Sequence, residues 1–245
     1  MIGLAELAGP IACLGLAVLL VARTRRNRIA GLCYAGTGTI LLIASFSPAS
    51  VPELLAAIGG AIVGGPLLAW LFRREPWFVA YGMLAFIPLR VHFAHHNLLV
   101  PLYAVALGAA LLMLWELVDG DERARELGLA SWPLALYLVW IGLSVGWSVD
   151  VHAAAIDLLA FYVPLTILAL SIARLPWSQP RLRLLYGQLV VMALVFAAVG
   201  FYQYETRTIF ENAKLQIGNT YQALFRVNSV FYDPSIYGRF LVIAL

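Results

Sequence analysis

The sequence predicts an all-α protein, a polytopic bundle of transmembrane helices with eight full helices and the start of a ninth. Three observations carry this. Hydrophobic residues make up 62% of the 245 residues and charged ones 12%, against roughly half and about a quarter in soluble domains. The apolar residues fall into runs close to the roughly 20 that a helix needs to cross the hydrocarbon core. The arginines gather in short clusters between those runs, which marks membrane connections and not a nucleic-acid surface, even at a formal net charge of +3.

Taken in order, the runs lie near residues 3–22, 29–47, 51–72, 76–92, 98–118, 131–149, 153–173 and 184–203. No Lys or Arg precedes the first run, so it lacks the basic start of a cleavable signal peptide and is read as a membrane helix. Arg23, Arg25, Arg26 and Arg28, then Arg73 and Arg74, then Arg123 and Arg125, then Arg174, Arg181 and Arg183 occupy every second connection. Those connections are read as cytoplasmic, with the N-terminus outside. Cys13 and Cys33 sit inside apolar runs and have no disulfide or metal-ligand spacing. Gly60 with Gly64, and Gly142 with Gly146, have the spacing that lets helices approach closely.

Residues 1–203 thus form the helical part, and 204–235 a long outer-face segment before residues 236–245 begin a further helix. Loops of this length are functional or disordered. Tyr202, Tyr204, Phe210, Tyr221, Phe225, Phe231 and Tyr232 argue for order, since disordered segments are poor in aromatics. Most of these rings are expected in an interfacial belt, with part of the segment folded on the membrane surface.

The organising stretch is FRVNSVFYDPSIYGRFLVIAL, residues 225–245. Asp233 can cap the helix through its side chain, Pro234 suits a first helical position, and Ser235 follows. A cation such as Arg226 beside the free N–H groups of a helix start makes an anion site, with phosphate the natural occupant. From Ser235 to Leu245 the helix is only about 15 Å long, half of the hydrocarbon thickness. A terminal carboxylate at that depth would be very costly, so the chain is expected to be a piece of a longer protein.

The order Arg226, small residue, aromatic, Asp233, Pro234, small polar residue resembles the O-antigen ligase and O-antigen polymerase superfamily, and SVGWSVD at 144–150 looks like that family's upstream Trp-Ser-Asp element. Ser235 stands where the family usually has Asn. The resemblance implies a multi-pass enzyme of the bacterial cytoplasmic membrane. It would move a glycan from a polyprenyl-diphosphate carrier to a lipid or glycan acceptor at the outer face. It also implies that Arg226 contacts the donor diphosphate, and that a catalytic histidine lies further along the chain than residue 245.

Other residues are candidates for the same pocket. Arg239, one turn into the ninth helix, adds a second charge or snorkels outward. Arg90 and the outer-side histidines His92, His95, His96 and His152 can line a cavity for glycan hydroxyls or phosphate. His92 and His96 have the spacing of two metal ligands on a helix, but no third ligand is identifiable, and no metal is assigned. Asp157 lies among apolar residues near the outer end of its helix, where it can orient an acceptor hydroxyl or pair with Arg90 or Arg226. Asp150 reads as a solvated end residue.

The leading reading is therefore glycosyl transfer without a cofactor, with protein cations and dipoles meeting the charge that grows on the leaving diphosphate. Its partners are the lipid-linked glycan, the acceptor and membrane lipids, and no nucleic acid. The alternative is a transporter, for which Asp157, the histidines and a helix broken at Gly64, Gly65 and Pro66 would mark the substrate path. A non-catalytic membrane scaffold is the third.

Overall fold

The computed structural model describes residues 3–45, 51–93, 96–120, 128–210, 212–221 and 224–244, without the side chains of 51–57 and 91–98. The regular structure among the described residues is helical apart from a sheet of two three-residue strands, Val91–Phe93 and His96–Leu98. In order, the helices are α1 (Leu4–Val21), α2 (Arg25–Ser45), α3 (Val51–Arg74), α4 (Phe78–Phe86), α5 (Val100–Asp119), α6 (Ser131–Ser144), α7 (Val151–Asp157), α8 (Val163–Ala173), α9 (Gln179–Thr206), α10 (Ala213–Thr220) and α11 (Pro234–Ala244). Among the described residues, six helical stretches are long and apolar enough to cross a membrane: 4–21, 25–45, 100–119, 128–147, 151–173 and 179–206.

Of the eight full helices expected, six correspond to these stretches and the third, 51–72, to the unbroken 24-residue α3; the fourth does not appear at full length. The predicted fourth helix, 76–92, shrinks to the nine residues of α4. Pro88 is the physical reason: it offers no N–H to continue the helix and disfavours helical geometry at Ile87 before it. The chain leaves α4 in a turn in which the Leu89 N–H bonds the Phe86 carbonyl at 3.1 Å. The stretch 151–173 is continuous, but α7 passes into α8 through a π-helical turn, Leu158–Tyr162. Pro164 at the start of α8 explains this, since its ring and missing N–H upset the regular ladder one turn upstream.

The chain divides into two compact units, one of residues 1–79, 92–98 and 102–175, the other of 80–91, 99–101 and 176–245. In the first, α1 is the central element, with Ala8, Ala12, Cys13 and Leu16 fully buried. It meets α2 through small residues: a Cβ on Gly15 would lie 2.2 Å from the Ala35 nitrogen, and one on Gly38 2.3 Å from that of Ala12. Between lipid-facing helices the gain comes from such close backbone approach, because the tails are as apolar as the side chains.

The glycines singled out by spacing are mostly not the ones that pack. Gly142 does, against Cys13 of α1, but Cβ atoms on Gly60, Gly64 and Gly146 would meet nothing. Their neighbour Gly65 instead seats Leu107 and Leu111 of α5, and Gly108 seats Leu68 and Phe72 of α3. The helix expected to break at Gly64, Gly65 and Pro66 runs unbroken from Val51 to Arg74. The transporter reading loses that support.

Among the described residues of this unit, one end gathers Arg25, Arg28, Arg73 and Arg174, while Arg123 and Arg125 lie outside the described residues and Arg181 and Arg183 belong to the other unit. Arg25 donates to the carbonyls of Leu117 and Val118, orphans of the last turn of α5, and Gly120 ends that helix at φ 79°. Arg73 pairs with Asp119 at 2.7 Å and lies 4.3 Å from the Trp115 ring. The charges of Arg28 and Glu116 both reach Arg174. This grouping suits the positive-inside pattern. Single cysteines at Arg26 and Ile217, both exposed, in a chain lacking Cys13 and Cys33, should label differently with an impermeant thiol reagent in intact cells. Labelling at 217 and not at 26 is expected; the reverse would invert the orientation.

Candidate functional site in the second unit

The second unit is built on α9, about 42 Å long at 1.5 Å per residue and so longer than the hydrocarbon core. It starts at Ser178 in extended geometry with Pro180 in its first turn, and ends at Arg207 in the left-handed region, φ 55°. The described residues of the segment between α9 and α11, residues 207–233, are folded, in line with its aromatic content. It contains α10, opened by Asn212, whose side chain accepts from the Leu215 N–H at 3.0 Å.

Four amide side chains fix this segment. Gln203, fully buried near the end of α9, accepts from the N–H groups of Asn228 (3.2 Å) and Ser229 (2.8 Å) and donates to the Ser229 carbonyl at 3.0 Å. Asn228 donates to the Phe210 carbonyl at 3.1 Å and Asn212 to that of Tyr232 at 2.7 Å. Asn219 grips the backbone of Arg226 on both sides, accepting from its N–H at 3.0 Å and donating to its carbonyl at 2.9 Å. These contacts hold Ser229 at φ 53°, a left-handed conformation unusual outside glycine.

Under the turn lies an aromatic core of Phe196, Phe231, Tyr237 and Phe240. Phe196 meets Phe231 edge-on at 5.5 Å, and the Phe196 carbonyl accepts from the hydroxyls of Ser229 (2.7 Å) and Tyr237 (3.2 Å). Gly200 makes room for the tyrosine, since a Cβ there would stand 2.6 Å from its oxygen. So α11 is seated on α9, and with it the start of the helix that Asp233 caps.

The cap is as the sequence predicts: α11 begins at Pro234, and Asp233 accepts from the Ser235 N–H at 2.6 Å. That hydrogen bond, opposed by burial and aided by the charge of Arg226, holds the Asp233 carboxyl below its usual range. The idea of a helix start open to phosphate needs correction, because the Asp233 carboxylate already occupies its leading donor. The cation beside it stays available. Arg226 is exposed, and its guanidinium has no hydrogen-bond or ion-pair partner among the described residues.

A cavity of about 280 Å³ opens beside the same turn, lined by Leu89, Arg90, Phe210, Ser229, Val230 and Phe231. Arg90 lines this cavity, whereas Arg226 does not and lies three residues before Ser229 of its wall in sequence. Arg239 lies exposed on α11 and does not line the cavity. No protein-family model, no curated protein and no solved structure matches the chain.

The remaining candidates sit elsewhere. Asp157 ends α7 in the first unit, where it is exposed and has no hydrogen-bond or ion-pair partner among the described residues, in place of the expected pairing. Asp150 is more than a solvated end residue: it caps α7, accepting from the Ala153 N–H at 2.9 Å. His152 is exposed in the first turn of α7. The side chains of His92, His95 and His96 lie outside the described residues, and among those described no group of three His, Cys, Asp or Glu could hold a metal. Of the predicted aromatic belt, Phe231 is core, and Tyr204 and Phe225 hold Arg207 at 4.6 and 5.2 Å. Tyr202 and Tyr221 are exposed.

Sequence reasoning passed over Gln203, Asn212, Asn219 and Asn228. The available signal was chemical: amides clustered in and around a segment rich in aromatics, where buried amides must find partners.

Proposed function

We propose that this chain belongs to a glycosyl-transfer enzyme of the bacterial cytoplasmic membrane. It moves a glycan from a polyprenyl-diphosphate carrier to a lipid or glycan acceptor at the outer face, in the manner of O-antigen ligases and polymerases. The observation that carries the reading is Arg226: an exposed guanidinium on a backbone gripped by Asn219, without a hydrogen-bond or ion-pair partner among the described residues, its charge felt by the Asp233 that caps the next helix, in a sequence pattern that resembles that family. An arginine fork matches two phosphate oxygens at once.

In this scheme the acceptor hydroxyl attacks the anomeric carbon of the glycan. The bond to the diphosphate breaks, and the diphosphate leaves with the carrier lipid as its charge grows. Arg226 meets that charge, and Arg90 in the adjoining cavity adds a second cation to the site. A general base takes the acceptor proton, and none of the described residues is assigned that role. Asp233 keeps Arg226 from being repelled by the positive end of α11.

The test is a transfer assay with full-length protein in proteoliposomes, given a polyprenyl-diphosphate glycan and acceptor. Glycan transferred and polyprenyl diphosphate released should rise together, one for one. Donor that stays intact through many enzyme equivalents, or hydrolysis without transfer, would count against the proposal.

A further inference from the structure

The segment that follows α9 folds back along the helix it leaves. The Ser229 hydroxyl bonds the Phe196 carbonyl at 2.7 Å, about 15 Å back from Thr206 at 1.5 Å per residue. Phe231 and Tyr237 pack with Phe196 in the aromatic core. Both ends of α10 are tied to this returning stretch. Asn212, which opens α10, donates to the Tyr232 carbonyl at 2.7 Å, and Asn219, in its last turn, donates to the Arg226 carbonyl at 2.9 Å. Those bonds hold α10 beside the last turns of α9.

The last turns of α9 reach the edge of a bilayer. From Leu184, the first residue beyond Arg181 and Arg183, to Thr206 the helix is about 34 Å long, against a hydrocarbon core of roughly 30 Å. Tyr202 and Tyr204 are exposed there, and Arg207 stands 4.6 Å over the Tyr204 ring, a grouping suited to the headgroup level.

The two faces of α10 differ. Asn219, which grips the backbone of Arg226, is buried. On the other face, about 200° round the helix from Asn219, Ile217 stands 61% exposed. Tyr221, at i+4 from Ile217, is 85% exposed, and Lys214, at i−3, is exposed as well. An aliphatic side chain and a tyrosine ring left bare beside a lysine, on a short helix held at the bilayer edge, have the chemistry of an interfacial helix. The apolar parts sit at the boundary of headgroups and acyl chains, and the cation meets the phosphates.

We infer that α10 lies in the headgroup layer of the bilayer, with Ile217 and Tyr221 against the first carbons of the lipid chains and Lys214 at their phosphates, and that through Asn219 it holds Arg226 at that level. The contact rests on the membrane reading of α9; the use of Arg226 there rests on the transfer reaction proposed above. The headgroup layer is polar, so a cysteine at 217 still meets a water-borne thiol reagent.

Nitroxide labels at single cysteines replacing Ile217, Tyr221 or Gln216, in full-length protein lacking Cys13 and Cys33, report their depth in vesicles of phosphatidylethanolamine and phosphatidylglycerol. Collision with oxygen, which concentrates in lipid, is compared with collision with a nickel chelate, which stays in water. Gln216 is exposed about 100° round the helix from Ile217. The oxygen-to-chelate ratio should be about threefold higher at 217 and 221 than at 216. Equal ratios at the three positions would overturn the contact. A label at Leu224, exposed two residues before Arg226, reads the link to the arginine. Asn219→Ala and Ile217→Asp should each lower its ratio toward that of residue 216, and an unchanged ratio in both would overturn the link. Ile217→Asp alters an exposed side chain and should melt in detergent as the parent does; the comparison of the three labels needs neither variant and stands whatever their stability. None of these readings requires donor turnover, so labels placed as expected in a protein that transfers no glycan would count against the transfer reaction alone.

Discussion

Arg226→Ala should slow glycan transfer on the order of a hundredfold, the usual cost of losing a charge-assisted contact that strengthens in the transition state. Arg226→Lys should be impaired as well, because an ammonium keeps the charge and loses the planar fork. Protein yield and melting temperature should hardly change. The side chain is exposed, and the backbone bonds to Asn219 do not depend on which side chain residue 226 carries. The measurement is initial rate in proteoliposomes at equal amounts of folded protein. Turnover close to the parent's in Arg226→Ala would reduce this arginine to an anchor for lipid headgroups.

Gln203→Ala should damage the fold of the second unit more than any surface change. One fully buried amide satisfies two N–H groups and one carbonyl of residues 228 and 229. Its removal leaves all three buried without partners, and at about 1–3 kcal/mol for each such group the loss is on the order of 4 kcal/mol. The left-handed Ser229 adds to this, since those bonds are what hold it there. Limited proteolysis between Arg207 and Tyr232 should become much faster, and donor turnover should fall with it. A variant as resistant as the parent would show that the aromatic core alone sets the segment, leaving Gln203 without a structural role.

The two predictions separate charge from scaffold. Arg226→Ala removes chemistry and leaves the fold, whereas Gln203→Ala removes the fold that presents the charge. A loss of turnover in Gln203→Ala with normal proteolytic resistance would therefore contradict the division of labour drawn between them.

Much of the helical layout was legible because it rests on composition. The stretches around α1, α2, α5, α6, α7 with α8, and α9 follow apolar length, which one sequence reveals. The cap of α11 was legible too, since Asp233 and Pro234 act on N–H groups within a few residues. The fourth helix misled because apolar length outweighed a single proline, yet Pro88 alone ends α4. Glycine spacing identified Gly142 but not Gly15, Gly31 or Gly38, because spacing along one helix does not tell which face meets a neighbour.

The candidate site was half legible for a similar reason. Arg226 and its helix start lie within one stretch of sequence, and the pattern there points to both. The grip on that stretch comes from farther away, with Gln203 reaching across 25 residues to Asn228 and Asn212 across 20 to Tyr232. Nothing local foretells such pairings. Asp157 misled in the opposite sense: its apolar neighbours in sequence suggested a buried, paired carboxylate, while its side chain faces outward beside the π-helical turn.

The central claim is that the segment around Arg226 holds the diphosphate of the donor, and capture of the donor tests it most directly. Leu224 is 81% exposed and lies two residues before Arg226, so a photoreactive amino acid can replace it without disturbing packing. On illumination, full-length protein carrying this residue should become linked to a polyprenyl-diphosphate glycan. Unlabelled polyprenyl diphosphate should compete, polyprenyl monophosphate should compete at least tenfold less well, and Arg226→Ala should abolish the product. Absence of capture by a correctly folded protein, or equal competition by monophosphate and diphosphate with Arg226→Ala unaffected, would contradict the account.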